Sequence, residues 1–159
     1  MFWAAFGYGL QTHLVLMDGD PTARCSGVTA RIYREVLDQH LLPILHFGTI
    51  FIHDNAPIHT AHLIREWLEE HNVDVMDWPP YSPDLNPIEN LWALLKAEMY
   101  RQFPDLIGMP NTEATLDYLI QCAIHTWDTL EFSLLNRLMD TMEHRVEAVI
   151  DAKGWYTKY

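Results

Sequence analysis

The chain has 159 residues, 49% of them apolar, with 22 Asp and Glu against 10 Lys and Arg and a formal charge of −12. The length fits one domain with room for a core, and the apolar content excludes a disordered polymer. The charge excludes a protein that grips duplex DNA through a broad basic face, because that affinity comes from Lys and Arg releasing counterions. DNA contact would need metal ions, local basic spots or another domain.

Cys25 and Cys122 stand alone, without ligand spacing, and read as reduced thiols of an intracellular protein. The uncharged run from Met1 to Met17 lacks the positive start of a signal peptide. Gln11, Thr12 and His13 also interrupt it, and it is too short and polar to span a bilayer. The chain therefore reads as soluble, with no targeting signal and no membrane partner.

In chain order, Phe2–Phe6 and His13–Met17 flank Gly7-Tyr8-Gly9 and predict a hairpin. A loop from Asp18 to Gly27 follows. Ile32, Tyr33, Val36, Leu37, His40 and Leu41 recur at helical spacing, with Thr29 as the expected cap and Pro43 as the expected stop. Thr49–Ile52 reads as a strand buried on both faces and leads into His53-Asp54-Asn55. Ala61, Ile64, Trp67, Leu68 and His71 mark a second helix, and Val73–Trp78 a further strand. Residues 79–87, PPYSPDLNP, hold four prolines in nine positions and make a stiff loop. Asn86 then caps a third helix, with Pro87 at its first position and Leu91, Trp92 and Leu95 on its apolar stripe. Two more amphipathic helices are expected. One carries Leu116, Leu119, Ile120, Ala123, Ile124 and Trp127; the other runs from Phe132 to Val149 behind a capping box of Asp128 and Glu131. The order describes an α/β sheet with a helical tail.

The chemistry-bearing pair is Asp54 and Glu89. Asp54 follows a strand, where open α/β sheets place ligands. Glu89 stands in the first turn of a helix delivered by the proline loop. Carboxylates of this kind suit Mg²⁺, a hard cation that takes oxygen ligands. The same residues have plainer readings. Asp54-Asn55 can close a strand in a turn, and Glu89, three residues after Asn86, can complete a capping box.

The strings FIHDNAPIHTAH and WPPYSPDLNPIENLW, with 34 residues between Asp54 and Glu89, resemble the mariner superfamily of transposases. FWAAFGYG and VEAVIDAKGWYTKY are similar to that family's second strand and C-terminal tail. The resemblance implies a DDE-type endonuclease domain of ribonuclease-H-like fold, with Asp54 and Glu89 as the second and third catalytic, metal-holding carboxylates. It implies weakly bound Mg²⁺ or Mn²⁺, cleavage and joining of DNA strands at transposon ends, a nuclear site of action and a homodimer. Residues 1–109 would form a partial endonuclease core, and 110–159 its helical extension.

The family's first catalytic Asp sits on a first central strand upstream of the segment that FWAAFGYG resembles, and this chain begins after that point. The expectation is thus a fold lacking that strand and a remnant inactive on its own. The loss would expose two sheet edges, which the hairpin could close by sliding against the Asp54 strand. Asp18 and Asp20 are the nearby acidic residues, and neither is expected to complete the triad. The alternative to an endonuclease is a non-enzymatic, transposon-derived domain retained for protein contacts.

His53, His59 and His62 lack zinc spacing. His59 is a candidate support for the carboxylate site. Trp78, Trp92 and Trp155 are expected to pack in the core, and Asp84 to shape its loop.

Overall fold

The computed structural model describes every residue except Cys25, Tyr81, Tyr156, Lys158 and Tyr159. The expectation of a reduced thiol at Cys25 lies outside the described residues; Cys122 is a free, buried thiol. The chain divides into two compact units. One comprises Met1–Trp3 and Val15–Tyr81, the other Ala4–Leu14 and Ser82–Tyr159.

Four two-residue strands come first: β1 (Phe2–Trp3), β2 (Phe6–Gly7), β3 (Leu10–Gln11) and β4 (Val15–Leu16). In the first unit β1 pairs antiparallel with β4, Phe2 opposite Leu16 and Trp3 opposite Val15. In the second unit β2 pairs with β3, and Gly9 at φ 64° turns the chain between them, a geometry that favours glycine. The expected hairpin is present, with its pairing confined to these two short ladders.

The first unit continues through Asp20, a residue only 3% exposed. Its Oδ1 accepts from the Thr22 amide, the Thr22 hydroxyl and Arg31 Nη2, and its Oδ2 from Thr29 Oγ1 and Arg31 Nε. The Arg31 guanidinium first, then the Thr22 and Thr29 hydroxyls, hold this carboxyl far below the usual carboxylate range. Thr29 precedes helix α1 (Ala30–Val36), but its hydroxyl is spent on Asp20 and makes no capping bond.

Pro43 does not stop the helix where expected. A π-helical turn over Leu37–Leu41, closed by the Leu42 amide on the Leu37 carbonyl, is followed by a 3₁₀ turn over Leu42–Ile44. In a regular α-helix the Pro43 ring would meet the Gln39 carbonyl and leave it without its amide. Widening the preceding turn relieves that clash and lets the chain coil on for three residues.

Strand β5 (Ile50–Phe51) pairs in parallel with β6 (Asp74–Val75), with helix α2 (His62–Glu70) between them in sequence. The reading of a strand buried on both faces is corrected: Phe51 is buried, but Ile50 is 56% exposed. Among the described residues β5 has one strand neighbour, β6, and the hairpin does not slide against it. Helix α2 buries Ile64, Trp67 and Leu68, and Trp67 Nε1–H donates to Asp38 Oδ1 at 2.6 Å.

In the second unit, a 3₁₀ turn (Pro83–Leu85) delivers α3 (Pro87–Gln102). Asn86 caps it by accepting from the Ile88 amide, and Leu91, Leu95 and Met99 are buried. Helix α4 (Glu113–Asp128) is capped by Thr112 and buries Cys122, Ala123, Thr126 and Trp127. Leu116, placed on its apolar face by spacing, is 56% exposed. The expected last helix is two, α5 (Phe132–Asp140) and α6 (Met142–Asp151). They part at Thr141, whose hydroxyl donates to the Leu138 carbonyl, the local bonding by which threonine competes with helix. The expected box of Asp128 and Glu131 is absent: Glu131 precedes α5 without a side-chain cap. Among the described residues no helix is long and apolar enough to cross a membrane.

The pivot of the second unit is Trp127, fully buried, whose indole N–H donates to the Thr12 carbonyl at 2.7 Å. Its own carbonyl accepts from Gln11 Nε2, and its ring lies 5.6 Å from that of Trp92.

Two outcomes are expected. Trp127→Phe strands the Thr12 carbonyl and costs about 1–3 kcal/mol, whereas Trp127→Ala costs about 3–5 kcal/mol. Urea unfolding at constant m-value checks both, and a Trp127→Phe indistinguishable from the parent contradicts the role of the indole N–H. For Asp20 the folded pKa lies below the unfolded one, so its stabilisation is present above about pH 4 and is lost as pH falls further. Asp20→Asn should lower the urea midpoint at neutral pH and make the acid-side loss shallower. Superimposable acid limbs would show that the Arg31 network does not supply it.

Candidate active site

Asp54 lies three residues beyond β5 in the first unit, and Asn55 anchors the segment by donating from Nδ2 to the Trp78 carbonyl at 2.7 Å. The Asp54 side chain is 50% exposed. Its Oδ1 accepts from the Ala56 amide at 3.0 Å and from His59 Nδ1 at 2.6 Å. Because a carboxylate carries no proton, the short contact puts hydrogen on His59 Nδ1. Oδ2 has no hydrogen-bond partner among the described residues.

His59 is itself held by rings. Tyr33 lies 4.4 Å from it and His53 5.1 Å, the latter stacked at 12°. The Tyr33 hydroxyl hydrogen-bonds His53 Nδ1 at 3.2 Å. Burial, then repulsion from His59, lowers the His53 pKa to about 4, so this imidazole is neutral at physiological pH and adds no charge. Burial likewise raises the pKa of the Tyr33 hydroxyl. A cleft of about 600 Å³ opens beside this group, lined in part by His53, His59, Arg65, Glu69 and Asn72.

His62 does not join the cluster. It is 78% exposed and pairs with Glu66 at 3.0 Å one turn on. The expected support of Asp54 by His59 is present as a direct hydrogen bond.

Glu89 lies in the second unit, in the first turn of α3, and is exposed. The capping-box reading is excluded by the backbone: the Asn86 amide donates to the Pro83 carbonyl, so it is not available to Glu89. The Glu89 carboxylate makes no hydrogen bond or ion pair among the described residues. A carboxylate at a helix N-terminus is favoured by the macrodipole, an interaction that does not consume its lone pairs.

The segments on either side of Glu89 are held by Arg145 of α6, which spacing did not single out. It is 1% exposed. Its Nη1 donates to the Asp84 carbonyl at 2.7 Å, its Nη2 to Asn90 Oδ1 at 2.8 Å and its Nε to Thr141 Oγ1 at 2.8 Å. The Asp84 side chain ties its loop to the C-terminal segment, its Oδ2 accepting from Thr157 Oγ1 at 2.9 Å. Of the three tryptophans assigned to packing, Trp78 is buried and Trp92 lies against Trp127. Trp155 is corrected to a surface residue, 72% exposed, beyond a left-handed Gly154 that turns the chain away from α6.

Asp20 is saturated by Arg31, Thr22 and Thr29, and this removes it as a cation ligand. Among the described residues no three His, Cys, Asp or Glu side chains form a group that could hold a metal ion. Asp54 Oδ2 and the Glu89 carboxylate are therefore the two open oxygen donors brought forward by the sequence reading, each a hard ligand suited to Mg²⁺ or Mn²⁺.

The profile of the DDE superfamily endonuclease matches residues 15–108 and so includes both carboxylates. The chain is 33% identical over 145 residues to the Tcb2 transposase of Caenorhabditis briggsae, covering 88% of this chain and 50% of that protein. It thus spans half the length of this relative. The catalytic domain of Mos1 transposase, solved with raltegravir and Mn, superposes with a TM-score of 0.64 at 20% identity over 99% of this chain and 82% of that one. The Mos1 paired-end complex with the left transposon end gives 0.61 at 22% identity, covering 92% of this chain and 44% of that one. The fold is accordingly the ribonuclease-H-like one of the DDE transposases. With the profile matched over more than half of its length, the chain belongs to the DDE superfamily endonucleases.

Proposed function

We propose that the chain is the metal-holding part of a DNA transposase, in which Asp54 and Glu89 are catalytic carboxylates that bind Mg²⁺ or Mn²⁺. One observation carries the reading. The match over residues 15–108 takes in two carboxylates that are both exposed and both with unused lone pairs among the described residues, Asp54 just beyond β5 and Glu89 in the first turn of α3. The donor chemistry fits a hard divalent cation, and the Mos1 catalytic domain was solved with Mn. Bound there, the cation supplies Lewis-acid stabilisation of charge developing on phosphodiester oxygens. The chain's own contribution is to orient Asp54 through the Ala56 amide and the His59 N–H, and to place Glu89 at the start of α3.

The substrate on this reading is DNA. A protein of charge −12 meets it through cations that offset its own repulsion toward phosphate. The Mos1 relative is known in complex with a transposon end. The reading extends to a nuclear site of action and to a homodimer, since a transposon has two ends to bring together.

Mn²⁺ should bind this chain weakly, with a dissociation constant on the order of 0.1–1 mM, as a sparse oxygen site does. Asp54→Asn and Glu89→Gln should each weaken it by about tenfold or more while circular dichroism stays unchanged. Unchanged affinity in both variants would remove the pair as ligands. Mn²⁺-dependent nicking of supercoiled plasmid, by this chain or by a longer protein that carries it, should vanish in Asp54→Asn and in Glu89→Gln. Nicking that survives either substitution takes that residue out of the chemistry.

A further inference from the structure

Arg145 is buried to 1% exposure, and its guanidinium is used on three sides, by acceptors from three stretches of chain. Two of these stretches bracket Glu89. The Asp84 carbonyl belongs to the turn that delivers α3, and the Asn90 side chain is the next residue after Glu89. The third acceptor, Thr141 Oγ1, is oriented because its hydroxyl proton is committed to the Leu138 carbonyl, leaving a lone pair toward Arg145 Nε. Thr157 closes the same turn from the C-terminal side through Asp84 Oδ2.

A helix N-terminus favours anions and disfavours a nearby cation. A buried guanidinium contacting the first turn of α3 therefore works against the helix electrostatically, and its value lies in geometry. Arginine offers donors in a fixed planar fork, which a lysine ammonium on a flexible stem cannot match.

We propose that Arg145 is a positioning residue for Glu89. It locks the residues on either side so that the Glu89 carboxylate points to one place while making no contact that would consume it. This inference rests on the reading of Glu89 as a metal ligand. It assigns to α6, some 55 residues away in sequence from Asn90, a part in setting that ligand.

The test uses the 159-residue chain, with Mn²⁺ affinity read from the spin resonance of free Mn²⁺, and amide exchange read at Ile88–Asn90. Arg145→Lys should keep its far-UV spectrum well below its melting temperature, lose about tenfold in Mn²⁺ affinity and exchange faster at those amides. Asn90→Ala, which removes one acceptor and leaves the guanidinium in place, should move both readouts in the same direction and carries the test if Arg145→Lys does not fold. In a Glu89→Gln background neither substitution should weaken Mn²⁺ further. A purely structural role predicts a lower melting temperature with unchanged Mn²⁺ affinity in both variants, and that result overturns the proposal while Glu89→Gln still shows its own loss. Unchanged affinity in Glu89→Gln itself overturns the metal reading, and the positioning role with it.

Discussion

A carboxylate that is to hold a cation has to be rigid and yet unspent, and these demands oppose each other because the cheapest way to fix a carboxylate is to hydrogen-bond it. On the proposed reading, the chain meets the constraint through the bonds made by backbone and neighbours. Asp54 gives one oxygen to Ala56 and His59 and leaves the other open. Glu89 gives none, because Asn86, Asn90 and Asp84 take the bonds that hold the start of α3. Asp20 shows the opposite outcome in the same chain. Its oxygens accept five bonds, it is buried, and it serves the fold alone.

The distribution of cations follows from the same constraint. With 10 Lys and Arg against 22 acids, positive charge is scarce, and several of these cations pair with acids of the same chain. Arg31 serves Asp20 and Glu35, Arg34 lies 3.9 Å from Asp38, and Arg101 pairs with Glu98, pulling that carboxyl down to about 2. Arg145 is buried in the second unit. On the proposed reading, such a chain would meet phosphate through carboxylate-bound metal rather than through a broad basic face.

The elements whose signals are local were legible in the sequence. Gly9 turns the hairpin, Asn86 and Pro87 open α3, and Ile64, Trp67 and Leu68 face inward on α2. Asp54 and Glu89 stood out by position, and the motifs around them pointed to the family that the profile match shows. The misreadings arose where a local rule met a competing one. Pro43 was accommodated by a π turn, Thr141 bonded its own carbonyl neighbour and split a helix, and Ile50 found no second layer over its face. Arg145 could not have been found by spacing. Its partners Asp84 and Asn90 lie 61 and 55 residues away, and an arginine in an amphipathic helix reads as a solvated charge until the fold buries it.

The central claim, that Asp54 and Glu89 are the cation ligands, is tested most directly by paramagnetic broadening in the ¹⁵N-labelled chain at substoichiometric Mn²⁺. The account predicts that the amides of 54–59 and 88–90 fade first, and that Glu89→Gln spares those of 88–90. Broadening that begins instead on the acidic surface of α2, at Glu66, Glu69 and Glu70, and is unaffected by that substitution would contradict it.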